Sequence, residues 1–354
     1  MQVRDGIVLF QGSISTNVLI KPMVSNAYLL EDGDEIVLFD PSCGKEIAGR
    51  IEAHIRKNKG EGRQFKKAII VAGHSHIDHA NNFYLGDLIG AKETHILVHK
   101  KGFKNGAVKN EVVPFIKNIA LESNQYYKFF SAVSGPVFLP GYFFMVMDKI
   151  SRNMASSIFG SLSSFAWPGP VNGSTKPELL KEENAQKLDI EGIEIKGWRL
   201  GTKVILPTPG HSPCSVSLFW PERKAIFISD ADWYGNPVFV TSSLRDCISS
   251  LEMIKKLTQA GKVDVFLPAH GEMKEGRANI LGHLDSCIQH LEGMKKEVLA
   301  AYQACGEKNI IKLTRILVKD YPLFKALNQH RFPKAIVFIH NITTVCLKEE
   351  GIIV

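Results

Sequence analysis

The sequence predicts an α/β fold, in which strand and helix patterns alternate through two halves of the chain. Three observations carry that expectation. Short β-branched runs such as "KAIIVAG" (67–73) and "KAIFISD" (224–230) stop at polar loops, as buried strands do. Amphipathic helix patterns lie between such runs. Beyond about residue 276 the strand patterns cease and apolar residues recur three and four apart, which reads as a helical C-terminal extension.

The elements follow in order. The opening "MQVRDGIVLF" alternates like a strand. "NAYLLEDGDEIVLFDPS" (26–42) sets two apolar runs around a Gly-Asp turn, a hairpin pattern whose second run ends at Asp40. Ile47, Ile51 and Ile55 share one face of a helix over 45–58. "KAIIVAG" reads as a strand, "ANNFYLGDLIG" (80–90) as a short helix and "THILVHK" (94–100) as another strand.

Residues 104–182 break this rhythm. A helix is expected after Pro114, and Phe129–Met147 and Asn153–Thr175 each lack any charged residue. Pro136, Pro140, Gly141, Pro168 and Pro170 argue against membrane-spanning helices there. The expectation is an inserted apolar lid; a homodimer face and peripheral contact with a membrane are the other readings.

Strand patterns resume at 192–200, 203–210, 215–220 and 224–230. A helix is predicted over 242–259, then strand and loop at "VDVFLPAHGE" (263–272). Ile280, Leu284, Cys287, Leu291, Met294 and Val298 then form one helical seam. The expected organisation is a domain over 1–275 with the lid at about 104–182, then a helical region over 276–354 with a faint winged-helix likeness.

Composition narrows the class. Of 354 residues, 45% are hydrophobic and 22% charged, an ordinary balance for a globular protein. The formal charge is 43 − 36 = +7 and is spread out. It permits anionic substrates without calling for nucleic acid. The segment from Lys312 to Arg331 has several basic residues, but it also holds the acidic Asp320 and little aromatic interleaving, a weak nucleic-acid footprint. Six scattered cysteines without a CxxC pair are expected to be reduced thiols of a cytoplasmic protein. The N-terminus has no apolar core of signal-peptide length.

The chemistry concentrates in "HSHIDH", which puts His74, His76, Asp78 and His79 into six positions. Such a string arises by chance in roughly one in a thousand chains of this composition. Imidazole and carboxylate both ligate zinc and iron-like metals. His74 and His76, two apart, leave an extended backbone on the same side. Asp78 and His79 fall where the chain turns into a helix and can face a second metal position. Three further strand-to-loop junctions deliver candidates: His211 in "ILPTPGHSP", Asp230 in "AIFISDAD" and His270 in "VFLPAHGE".

In that order, "HSHIDH", "TPGHS", "FISD" and "LPAHG" resemble the metallo-β-lactamase superfamily, over roughly residues 5–100 and 185–275. The resemblance implies an αββα sandwich with metals at one edge. It implies two divalent metal ions, zinc first, with iron or manganese as alternatives. His74, His76 and His211 would hold one, Asp78, His79 and His270 the other, and Asp230 would bridge. Asp40 matches a position that supports the loop. Two residues depart from the pattern: Ser229 stands where glycine often precedes the bridging aspartate, and Cys214 where glycine often follows the His211 turn.

The implied reaction is hydrolysis by a metal-bound hydroxide, with Asp78 able to relay a proton. Tyr234 is offset by one residue from a tyrosine that binds the substrate carbonyl in lactone-hydrolysing members; the plainer reading is an aromatic packed beside the site. Aromatics of the insert, among them Phe129, Phe143 and Trp167, favour a small molecule with an apolar part: a thioester, ester or lactone. The alternatives are an oxidoreductase like the mononuclear iron persulfide dioxygenases, and a phosphodiesterase or nuclease.

Overall fold

A computed structural model of the chain describes residues 1–13, 24–42, 44–76, 78–104, 107–108, 173–190, 192–239, 241–329 and 335–353. The first half supplies β1 (Gln2–Arg4), β2 (Ile7–Ser13), β3 (Val24–Asp32), β4 (Glu35–Phe39), α1 (Lys45–Gly60), β5 (Lys67–Val71), α2 (Leu85–Ile89) and β6 (Glu93–His99). A short pair, β7 (Phe103–Lys104) and β8 (Ala107–Val108), follows. The second half supplies β9 (Glu178–Leu180), β10 (Gln186–Ile190), β11 (Ile193–Leu200), β12 (Lys203–Pro207), β13 (Val216–Trp220), β14 (Ala225–Ile228), α3 (Leu244–Gln259), β15 (Val265–Pro268) and β16 (Lys274–Glu275). Then come α4 (Arg277–Cys305), α5 (Ile310–Asp320), α6 (Pro322–Gln329) and α7 (Ala335–Glu349).

The strands form two seven-stranded mixed sheets, ordered β1-β2-β3-β4-β5-β6-β9 and β10 through β16 in sequence. Alternation along the strands builds the layers. Tyr28, Leu30, Phe39, Ile69 and Val71 of the first sheet meet Trp198, Leu218, Phe227 and Leu267 of the second between the sheets. Their neighbours Leu29, Leu38 and Ile70 face outward onto Ile47, Ile51 and Ile55 of α1. Phe219, Ile226 and Phe266 face outward onto Leu251 and Ile254 of α3 and Ile280 and Leu284 of α4. With both faces of each sheet covered, the central strands read as nearly continuous apolar runs. The αββα sandwich expected from the resemblance is the fold observed.

Strand direction positions the site. β4 and β5 run parallel with Phe39 opposite Val71, and β14 and β15 run parallel with Ile228 opposite Pro268. Their following loops therefore leave one edge of the sandwich. Hydrogen bonds lock the sheets together there: Asn26 Nδ2 and the Tyr28 hydroxyl donate to the Pro268 carbonyl at 2.8 and 2.7 Å, and the Val216 N–H donates to the Gly73 carbonyl at 2.7 Å.

Some expectations change. The helix predicted over 80–90 spans only Leu85–Ile89. Asn82 has a left-handed φ of 54°, and its amide donates to the Pro41 and Ser42 carbonyls, which diverts the preceding turn. Residues 178–180, inside the range expected for the lid, form β9 and pair in parallel with β6. The predicted helix after Pro114 and the uncharged stretch 129–147 lie outside the described residues, as does 153–175 up to residue 172. Among the described residues of 276–353 there are helices and no strand. The seam holds with one exchange: Ile288 is buried, while Cys287 is half-buried. Among the described residues, no helix is long and apolar enough to cross a membrane.

Candidate metal centre

The loops after β5, β12, β14 and β15 bring all seven candidate side chains together. They form two groups, His74–His76–His211–Asp230 and Asp78–His79–His270, and within each group one donor atom per residue lies within 4.8 Å of the others. In the first, His76 Nδ1 is 2.7 Å from His74 Nε2 and 3.1 Å from His211 Nε2. In the second, Asp78 Oδ2 lies 3.4 Å from His79 Nε2 and 3.5 Å from His270 Nε2. Asp230 divides itself between them. Its Oδ2 is 3.3 Å from His211 Nε2, and its Oδ1 is 3.4 Å from His79 Nε2 and 3.3 Å from His270 Nε2.

Four of the five rings are held by their outer nitrogen. Nδ1 of His74 is 2.8 Å from Ser229 Oγ, that of His79 2.9 Å from Asp40 Oδ2, that of His211 2.6 Å from Asn236 Oδ1 and that of His270 2.7 Å from the Val24 carbonyl. An outer N–H bonded this way leaves the inner nitrogen as a lone pair aimed at the centre, the usual arrangement of metal-ligating histidines. His79 Nε2 and Asp230 Oδ1 are buried without a hydrogen bond. Inward lone pairs on nitrogen and carboxylate oxygen are the donor set that divalent zinc, iron or manganese takes, so the residues fit the metals implied by the fold.

The electrostatics divide the rings into two kinds. Burial holds the His74 imidazole well below its usual range, aided by the charges of His79 and His76. Burial likewise brings His211 down to about 4, against the pull of Asp230. Burial also opposes charge on His79 and His270, but there the carboxylates win. Asp78 and Asp230 drive His79 well up, and the same two raise His270 to about 9. For Asp78 and Asp230, burial is outweighed by His79 and its neighbours, so both carboxyls are held well below their usual range. The cluster carries buried negative charge that demands positive charge beside it.

Local backbone makes room for this. Asp40, at φ 51°, accepts the Gly73 N–H on Oδ1 at 2.6 Å. A Cβ on Gly73 would sit 2.5 Å from Ser229 Cβ, so only glycine lets the two loops approach.

The other named residues lie as follows. Cys214 is buried between Ser75 Oγ at 3.3 Å and Ser212 Oγ at 3.1 Å. Tyr234 is 58% exposed and stacks on His290 of α4 at 3.8 Å between ring centroids. Sequence reasoning missed Asn236, whose amide also donates to the Asp230 carbonyl at 2.8 Å and so ties two candidate ligands together. It missed Phe239 too, whose ring lies 4.5 Å from His76 and 5.4 Å from His211. The available signal was an amide and an apolar ring in a short loop closely following Asp230, too common to single out.

Comparisons with known proteins point one way. A profile of the metallo-beta-lactamase superfamily matches residues 20–270. No curated protein matches. A metallo-beta-lactamase family protein from Thermus thermophilus aligns at 18% identity with a TM-score of 0.52, covering 99% of this chain and 95% of its own. The metallo-beta-lactamase FIM-1 from Pseudomonas aeruginosa, solved in a mono-zinc form, aligns at 13% identity with a TM-score of 0.46, covering 82% of this chain and 92% of its own. At such identities the likeness speaks for the fold alone. The sandwich, the clustered histidines and aspartates at its edge, and a profile match over most of its length make this chain a member of the metallo-beta-lactamase superfamily.

Proposed function

We propose that the protein is a dinuclear metal-dependent hydrolase, using two zinc ions to cleave a thioester, ester or lactone of a small apolar compound. The observation that carries this reading is Asp230, one carboxylate whose two oxygens face two separate groups of donors. His74, His76 and His211 would hold one ion, Asp78, His79 and His270 the other, with Asp230 between them. Bound there, the pair would supply the charge that ionises a water at neutral pH and polarises the oxygen under attack.

The remaining tasks fall to side chains. Asp78 is half-buried beside His79 and His270, where its carboxylate can take up and pass on a proton. Trp233 stands 5.5 Å from His211 and, with Phe239, forms an aromatic wall beside the first group. Such a wall excludes water and suits an apolar substrate. The aromatic composition of 129–167 supports the same substrate class. The scattered placement of the six cysteines, with no CxxC pair, supports a reducing compartment, the cytoplasm.

The test is metal analysis of protein purified without added metal, alongside a panel of thioesters, esters, lactones and phosphodiesters. Two metal ions per chain and hydrolysis of an acyl substrate are expected. One iron per chain with oxygen uptake would replace this reading with a persulfide dioxygenase-like one. Turnover of phosphodiesters alone would make the protein a phosphodiesterase.

A further inference from the structure

We propose that Ser229 is a positioning residue shared by both donor groups, so that one hydroxyl sets the two metal affinities together. The inference rests on the two-metal reading above. Ser229 follows β14 and is 1% exposed. Its Oγ lies 2.8 Å from His74 Nδ1, 2.9 Å from Asp40 Oδ2 and 3.2 Å from His79 Nδ1. Asp40 Oδ2 in turn lies 2.9 Å from His79 Nδ1.

The protons have one consistent arrangement. A cation on the inner nitrogen of His74 requires a proton on its outer nitrogen, which donates to Ser229 Oγ. The hydroxyl hydrogen is then directed onto Asp40 Oδ2. The same carboxylate oxygen accepts the outer N–H of His79, while the Gly73 N–H fixes the other oxygen at 2.6 Å. The chain of bonds runs from a histidine of the first group, through Ser229 and Asp40, to a histidine of the second. A hydroxyl offers one donor and two acceptor sites, enough for all three neighbours.

A glycine here would leave His74 Nδ1 without that partner and Asp40 with one donor fewer. Ser229 also packs tightly: a Cβ on Gly73 would lie 2.5 Å from both its Cβ and its Oγ. By contrast, Asn236 bonds the outer nitrogen of His211 and the Asp230 carbonyl, and holds no histidine of the second group.

The experiment titrates chelator-stripped full-length protein with Zn2+ against a competing chromophoric chelator. Ser229→Ala is expected to weaken both binding steps, each by about tenfold or more, the range for losing an outer partner of a ligand. Asn236→Ala is expected to weaken the step at the His211 group more than the other, since it releases His211 directly and reaches the second group only through the Asp230 backbone. In 15N-labelled zinc-loaded protein, the downfield Nδ1–H signals of both His74 and His79 should move in Ser229→Ala, and that of His270 should not. If the alanine variant does not fold, Ser229→Cys, similar in size and a weaker hydrogen bonder, should show smaller losses at both steps. Loss at a single step, or a lowered melting temperature with both affinities intact, would overturn the proposal. Wild-type protein that takes up fewer than two zinc ions would overturn it together with the two-metal reading. Two tightly bound ions and no hydrolysis of any panel substrate would sink the hydrolase reading alone.

Discussion

Strands β4 and β12 each end in two very different environments. At their starts, Lys203 is 0% exposed, yet its ammonium meets Asp32 Oδ2 at 2.7 Å, Glu35 Oε1 at 3.0 Å and the face of Trp220 at 4.5 Å. At their far ends, Asp40 and His211 enter a cluster whose inner atoms face one another, two of them without hydrogen bonds. Both ends bury charge on the same strands. One is complete within the protein's own groups, and the other calls for a cation from outside. Buried charge survives when it is paired. The lysine end therefore reads as a staple between the sheets, and the histidine end as a binding site.

That contrast can be broken most directly at the histidine end. Asp230→Ala or His76→Ala should abolish turnover while leaving the far-ultraviolet circular dichroism spectrum unchanged. Full activity in either variant would remove the case for a metal centre. The opposite behaviour is expected of Lys203→Met. Stability should fall by about 3 kcal/mol, the lower end for a broken buried pair, because Asp32 and Glu35 keep some access to water. Urea midpoints would read that loss, and zinc affinity should not change.

A smaller effect concerns acid. Near the staple, His54 chiefly, with Arg63 and Asn58, overcomes partial burial and brings the Glu31 carboxyl down to about 2. A carboxyl depressed in the folded state lends stability above its unfolded value of about 4.3 and loses it as pH falls toward 2. Glu31→Gln should therefore flatten the fall in melting temperature between pH 4.5 and pH 2. The smallest effect is expected at Tyr234→Phe, which keeps the ring stacked on His290 and should alter stability by less than about 0.5 kcal/mol. A tenfold fall in kcat/KM on a lactone would give its hydroxyl a role with the substrate carbonyl.

The histidine end was largely legible in the sequence and the lysine end was not. "HSHIDH" is local, and His211, Asp230 and His270 each stand just beyond a β-branched run, so strand patterning alone places them at strand ends. Lys203 opens a strand and would ordinarily be a surface residue. Its burial depends on Asp32 and Glu35, 171 and 168 residues earlier, a contact no local pattern encodes. Asn236 escaped for a related reason, since its value lies in joining His211 to the Asp230 loop across a turn. The shortened α2 shows a side chain overruling helix propensity: the amide of Asn82 binds carbonyls of the loop after β4.

The donors of each group are drawn from both sides of residues 104–182, and assembly depends on it. His74 and His76 need His211, while Asp78 and His79 need His270, so neither half alone can complete either group. Two polypeptides cut between residues 104 and 172 would each offer only partial coordination, and tight zinc capture on mixing them would report that the two sheets had mated.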